Sequence, residues 1–266
     1  MGLSPLLARY DNVVLDLDGC VWVGGVCTRE APAAVSELRA AGRRLAFVTN
    51  NAKSSPEDYV RKLWSLGVQA SLEEVVTAGA AVQYFLSGQP SRNAYVIGSD
   101  ALFRHVADAG HQIVNGTDRA VGADIVVVAG HENFDYAQLR DATQAVLGGA
   151  EIVASDRDRA FPAEDGVWPG TGSIVAALEY ATERRAHSVG KPDPEIFRTA
   201  LDRFGEDGRT LVIGDRLDAD LAGAAAAGLD GAIVLTGVTS AEQARTATDP
   251  APVAVAEDLH ELVVGR

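Results

Sequence analysis

Four short segments carry residues whose types and spacing could do chemistry. The first is Asp16-Leu17-Asp18-Gly19, directly after the apolar run Val13-Val14-Leu15. Two acids separated by one residue bring two carboxylates to one edge, and Gly19 lets the backbone turn sharply and approach a ligand. The same four residues would also serve as a turn with a solvated acid pair. The second is Thr49-Asn50-Asn51, after Phe47-Val48. Its hydroxyl and amide donors can hold an anion through neutral hydrogen bonds, although Asn-Asn is also ordinary turn chemistry. The third runs from Gly214 to Asp220 and carries Asp215, Asp218 and Asp220 after Leu211-Val212-Ile213. Several carboxylates without a nearby Cys or His suit a hard cation such as Mg²⁺ rather than zinc. They also suit a helix start with acids at its positive end, and that role, or simple exposure, is read for Asp218. The fourth is Gly190-Lys191-Pro192, where a compact point charge in a fixed loop suits a phosphate oxygen. The chain has 20 Arg and only three Lys (Lys53, Lys62, Lys191), so a Lys in such a loop is poorly explained as filler.

The elements that must position these residues alternate. Strands are predicted at Asn12–Leu17, Arg44–Thr49, Ala94–Ile97, Asp124–Val128, Leu211–Ile213 and Ala232–Leu235. Helices are predicted over Thr28–Ala41, from Ser55 to Gly67, and over Ala101–Ala109, Tyr136–Leu147, Ser173–Glu183, Pro194–Phe204 and Leu217–Ala227. The Ser55-Pro56-Glu57-Asp58 start combines an N-cap, a first-turn Pro and early acids. Such alternation means an α/β fold, with parallel sheets covered by helices on both faces. In such sheets ligands gather at the carboxyl ends of the strands, where three of the four segments fall. Gly148-Gly149 and the Pro-, Gly- and Asp-rich stretch Asp156–Gly172 read as loops.

Composition narrows the possibilities further. With 23 Lys+Arg against 37 Asp+Glu the formal charge is −14, which argues against nucleic acid and against a polybasic membrane contact. No apolar run approaches the roughly 20 residues of a membrane helix. Residues 1–10 lack a basic stretch ahead of an apolar one, so no secretory signal is expected. Cys20 and Cys27 are the only cysteines; they make no disulfide framework, and a reducing cytoplasm is the expected location.

Taken in order, strand-Asp-x-Asp-Gly, strand-Thr-Asn-Asn, Gly-Lys-Pro and strand-Gly-Asp-x₄-Asp resemble the haloacid dehalogenase-like superfamily of phosphohydrolases, over residues 12 to about 225. The segments Phe47-Val48-Thr49-Asn50-Asn51 and Pro169-Gly170-Thr171-Gly172-Ser173, with Gly190-Lys191-Pro192, resemble the ribonucleotide monophosphatase and p-nitrophenyl phosphatase-like branch. Phosphoglycolate, glycerol-phosphate and pyridoxal-phosphate phosphatases belong to that branch too. The resemblance implies a Rossmann-like parallel core, residues 1–79 and 186–266, interrupted by an α/β cap over residues 80–185. It implies Asp16 as nucleophile, forming an aspartyl phosphate, and Asp18 as general acid and base. It implies Mg²⁺ held by Asp16, the Asp18 carbonyl and Asp215, with Asp220 in support, and the phosphoryl group bound at Thr49, Asn50 and Lys191, with Asn50 orienting the loop.

The substrate implied is a small phosphorylated metabolite: a sugar phosphate, glycerol phosphate, phosphoglycolate or a nucleotide monophosphate. A phosphotransferase or mutase on the same scaffold is the second reading, and a non-catalytic phospho-ligand sensor the third. Asp18 speaks against the sensor, because a general acid two residues after the nucleophile serves turnover. Asp156, Arg157 and Asp158 match a loop that selects substrate, or form a solvated charged turn. His131, in Ala129-Gly130-His131-Glu132, contacts substrate or caps a strand. Cys20 stands where relatives carry Val or Thr; it reads as a small buried side chain, with redox sensitivity as the alternative. By analogy with relatives the chain is expected to form a homodimer.

Overall fold

The computed structural model describes residues 2–163, 165–205 and 208–265. In chain order the first strands are β1 (Asn12–Asp16), β2 (Trp22–Val23), β3 (Val26–Cys27), β4 (Arg44–Thr49) and β5 (Val75–Thr77). Next come β6 (Asn93–Ile97), β7 (Gln112–Ile113), β8 (Ile125–Val128), β9 (Glu151–Ala154), β10 (Ala160–Ala163), β11 (Gly166–Pro169) and β12 (His187–Ser188). The last are β13 (Thr210–Gly214), β14 (Asp230–Val234) and β15 (Ala254–Ala256).

The chain divides into two compact units. The first comprises residues 1–49, 56–76 and 191–266, and the second residues 50–55 and 77–190. The expected boundaries at 79/80 and 185/186 differ from these by a few residues, and the short segment 50–55, which includes Asn50 and Asn51 of the Thr-Asn-Asn segment, falls in the second unit.

The first unit is built on a six-stranded sheet in the order β15-β14-β13-β1-β4-β5. β1 is buried at all five positions, as a parallel strand covered on both faces should be. Its apolar side chains join those of helix Ala31–Ala40, helix Pro56–Ser65 and the C-terminal helix Leu259–Val264 in one core that includes Trp22, Leu38, Phe47 and Leu63. Pro56 opens its helix with Glu57 and Asp58 in the first turn, where negative charge meets the positive end of the dipole.

The second unit is built on a five-stranded parallel sheet, β12-β9-β8-β6-β7. Helix Tyr136–Leu147 packs into its core and begins with a capping box formed by Asp135 and Gln138. The stretch Asp156–Gly172 is not the loop expected from its composition: β10 and β11 pair antiparallel inside it. Pairing needs no apolar alternation when a short hairpin closes on itself, so periodicity gave no signal there. The helix Ala78–Ser87, the strand β15 and the C-terminal helices also went unpredicted. No described helix is long and apolar enough to cross a membrane.

Candidate active site

β1 lies between β13 and β4, at the point in the sheet where the strand order reverses. β1 and β13 are parallel in the register Leu15↔Ile213, so Asp16 and Asp215 leave the sheet at the same edge. On the other flank Asp16 pairs with Val48, which sets Thr49 at that edge too. A switch point of this kind is where open α/β sheets bind ligands.

Asp16, Asp215 and Asp220 are 6, 1 and 2% exposed. Each offers a carboxylate oxygen, and the three lie within 4.8 Å of one another. Lys191, 5% exposed, donates to Asp16 Oδ1 and, at 2.7 Å, to Asp220 Oδ1. Asp220 reaches this position on a π-helical turn, Leu217–Leu221, a widened geometry frequent at functional sites. The helix predicted from Leu217 becomes α-helical only at Ala222–Ala226. Asp220 Oδ2 accepts the backbone amides of Asp215 and Arg216 at 3.2 and 3.0 Å, so both Asp220 oxygens are engaged. Asp218 is exposed and pairs with Arg216.

Asp215 is held differently. Its Oδ2 accepts the Val238 amide at 2.6 Å, while Oδ1 is buried with no hydrogen-bond partner among the described residues. Two glycines back onto this carboxylate, and a Cβ at either Gly19 or Gly237 would overlap it. Gly19 also has φ +94°, in the left-handed region that favours glycine.

Burial pushes the Asp16 carboxyl well up; Lys191 opposes the shift, and Asp220 and Asp215 add to it. Asp215 is pushed up to about 6 by burial first and by Asp220 second. Burial alone would lower the Lys191 ammonium, but Asp16 and Asp220 together raise it, so it stays charged. Three carboxylates against one ammonium leave two buried negative charges uncompensated, an arrangement that is expensive without a further cation. The orphaned Asp215 oxygen and the all-oxygen donor set fit a hard divalent ion of the Mg²⁺ type. Asp16 and Asp215 are the carboxylates able to hold it, because Asp220 is committed to Lys191 and to two amides.

Asp18 does not join the carboxylate cluster. It is exposed, and its Oδ1 accepts the Trp22 indole N–H at 2.7 Å. Thr49 is buried and hydrogen-bonds the Tyr59 side chain, whose phenol is raised by burial first and by Asp18 second. Asn50 lies in the second unit, donating to Asp158 Oδ2 at 3.0 Å. Sequence reasoning missed Trp22, Tyr59, Gly237 and Val238. Only Gly237, a glycine just past an apolar strand, left a trace that could have been followed.

The residues expected to select substrate are largely occupied within the second unit. Asp156, 4% exposed, accepts the Ser155 and Thr171 hydroxyls at 2.7 and 2.8 Å and the Asp158 amide at 2.9 Å. Arg157 pairs with Glu179 at 2.7 Å and donates to the Ala186 carbonyl. His131 packs edge-on against Phe134; its Nε2 is buried without a hydrogen-bond partner among the described residues, and burial lowers its pKa. Cys20 is fully buried and its thiol is pushed well up by burial first, then by Asp16 and Asp215, as its reading as a small buried side chain anticipates.

Comparison with known proteins was consistent with this geometry. A family profile described as haloacid dehalogenase-like hydrolase matches residues 13–112, and one described as HAD-hydrolase-like matches residues 188–262. The D-glycerol 3-phosphate phosphatase of Mycobacterium tuberculosis is 37% identical over 265 residues, covering 98% of this chain and 73% of that protein. The acid sugar phosphatase of Staphylococcus aureus is 31% identical, covering 97% of this chain and 98% of that protein. A crystal structure of glycerol phosphate phosphatase from M. tuberculosis in complex with magnesium superposes with a TM-score of 0.89 at 36% identity, covering 98% of this chain and 78% of that one.

Proposed function

The chain belongs to the haloacid dehalogenase-like hydrolases, and from that premise we propose that it is a Mg²⁺-dependent phosphomonoesterase acting on glycerol phosphate or a sugar phosphate through an aspartyl-phosphate intermediate. The observation that carries this reading is the buried trio Asp16, Asp215 and Asp220 gathered around Lys191, with one Asp215 oxygen left unpartnered. The substrate class is supported by what the relatives are named for.

Each residue has work that follows from its placement. Asp16 ends the central strand with one oxygen held by Lys191, which fixes the carboxylate for in-line attack on phosphorus. A carboxylate and a phosphoryl oxygen at about 4 Å repel by roughly 4 kcal/mol at an effective dielectric constant near 20. Lys191 lies where it can offset part of that repulsion, and Thr49 can add a neutral donor to a phosphoryl oxygen. Asp16, Asp215 and the Asp18 carbonyl would hold Mg²⁺, which would supply the remaining positive charge. As the P–O bond to the leaving alcohol breaks, Asp18 gives that oxygen a proton. Water then attacks the aspartyl phosphate and passes its proton to Asp18. The bond from phosphorus to Asp16 breaks, and free phosphate departs.

The test is a panel of phosphorylated metabolites ranked by kcat/KM with and without Mg²⁺, alongside mass spectrometry of the protein trapped during turnover. Glycerol phosphate or a sugar phosphate is expected to rank first, activity to require the metal, and phosphate to appear on Asp16. Hydrolysis that persists after the metal is chelated, or a phosphoryl group trapped on another residue, overturns the mechanism.

A further inference from the structure

Trp22 is fully buried, yet its one polar group points out of the core to an exposed carboxylate. The indole N–H donates to Asp18 Oδ1 at 2.7 Å, and the Gly19 amide returns to the Trp22 carbonyl at 2.7 Å. The segment from Asp18 to Trp22 is thus a closed turn with the acid at one end and its donor at the other. The ring itself is held by the helix Pro56–Ser65. Tyr59 stacks on it, with planes 7° apart and centroids 6.3 Å apart, and Lys62 Nζ lies 4.0 Å from its centroid. Tyr59 and Lys62 are three residues apart and so share one helix face. Parallel stacking and a cation over the ring each favour a fixed orientation of the indole plane.

We propose that Trp22 is a positioning residue that sets which oxygen of Asp18 carries the transferable proton. An indole nitrogen can only donate a hydrogen bond. The unprotonated, carbonyl-like oxygen of a carboxylic acid is the better acceptor, so this bond to Oδ1 favours the acid proton of Asp18 on Oδ2. Oδ2 makes no hydrogen bond to any described residue, and it is therefore the oxygen available to a leaving group. Tyr59 and Lys62 extend the same device by fixing the ring from which the N–H projects. The inference rests on the reading of Asp18 as the general acid.

The consequence depends on the leaving group. Glycerol departs as a poor leaving group that needs its proton as the P–O bond breaks, whereas p-nitrophenolate leaves without one. The ratio kcat/KM covers steps up to this first bond cleavage, so later hydrolysis of the aspartyl phosphate does not mask the effect. Trp22→Phe keeps an aromatic ring against Tyr59 and Lys62 and removes the N–H. It is expected to lower kcat/KM for glycerol phosphate about 10- to 100-fold, at or below the lower end of the roughly 10²–10⁴-fold general-acid contribution because Asp18 itself remains, and for p-nitrophenyl phosphate by less than about threefold. Site-specific replacement of Trp22 by benzothienylalanine, which preserves the shape and lacks only the N–H, should give the same asymmetry and covers the case in which the Phe variant folds poorly. Equal losses on the two substrates, or no loss on either, overturn the positioning role. Asp18→Asn provides the benchmark. If its own losses are equal on both substrates, or if the wild-type protein hydrolyses neither, the failure lies instead in the functional reading beneath the inference.

Discussion

Asp215 follows β13 in the first unit, and Asp156 follows Ser155 just past β9 in the second. Both are buried at the end of a parallel strand, and burial pushes both carboxyls up to about 6. Their surroundings separate them. Asp156 accepts two hydroxyls and an amide, so each of its oxygens is satisfied. Asp215 accepts the Val238 amide on one oxygen, keeps the other unpartnered, and has Asp16 and Asp220 beside it. A satisfied buried carboxylate holds a loop; an unsatisfied one among like charges has the capacity left to bind a cation. Burial and a raised pKa are common to both, so neither property identifies function by itself.

That comparison can be broken most severely at Asp16, the acid that shares Lys191 with Asp220. Asp16→Asn should lower kcat by about 10⁴-fold or more, because an amide can neither attack phosphorus nor be regenerated by hydrolysis. Steady-state hydrolysis of p-nitrophenyl phosphate and a circular dichroism spectrum matching wild type would establish it; retained activity would remove Asp16 from the mechanism.

A smaller effect separates the two strand-end acids directly. Asp215→Asn is expected to weaken Mg²⁺ binding by at least about 10-fold in calorimetric titration, whereas Asp156→Asn should leave that affinity unchanged. Equal weakening in the two variants would erase the distinction. Asp156→Asn should instead destabilise the protein by about 1–3 kcal/mol, since an amide set among three donors loses hydrogen bonds. Its pH dependence has a definite sign. A folded pKa above the unfolded one means that the folded state binds more protons between about 4 and 6, so the contribution of Asp156 is present at the acid end and lost as pH rises. Denaturant melts across that window should therefore show wild type losing stability relative to Asp156→Asn as pH rises; the opposite slope refutes the raised pKa. The least effect belongs to Arg157, whose partly exposed pair with Glu179 should cost about 1 kcal/mol or less on Arg157→Ala, read as a small fall in Tm.

The sequence carried the positions of these groups better than their states. Asp16, Thr49 and Asp215 were legible because each follows a short apolar run of the length and β-branched content of a buried strand. Lys191 was legible because so few lysines compete with it. The orphaned oxygen of Asp215 was not, since it depends on which backbone amides the segment after β14 delivers, and only that of Val238 reaches the carboxylate among the described residues. Asp156, Arg157 and Asp158 form a charged string that fits either a specificity loop or a solvated turn. Two of them are neither exposed nor free, because Thr171 and Glu179 reach them from a helix that starts some 15 residues later. Trp22 was not singled out in the sequence at all; its link to Asp18 depends on the closed turn at Gly19, which the pattern of residue types does not reveal. The hairpin β10–β11 stayed hidden because its strands are short and carry no apolar alternation.

The pairing of β1 with β13 also bears on how the protein is made. Asn12 meets Thr210 across 198 residues of chain, while its other neighbour, Arg44 of β4, is met across only 32. At roughly 5–20 residues per second, a ribosome needs on the order of 10–40 s to carry synthesis from one side of the longer pairing to the other. During that interval the nascent chain can join β1 to β4, but the edge later covered by β13 stays open, and open strand edges invite misassembly. Asp215 and Lys191 emerge late, after the whole second unit has been translated. Substitutions that slow folding of that unit would then lower the yield of active protein without touching a catalytic contact, and a chaperone that shields the open edge would restore it.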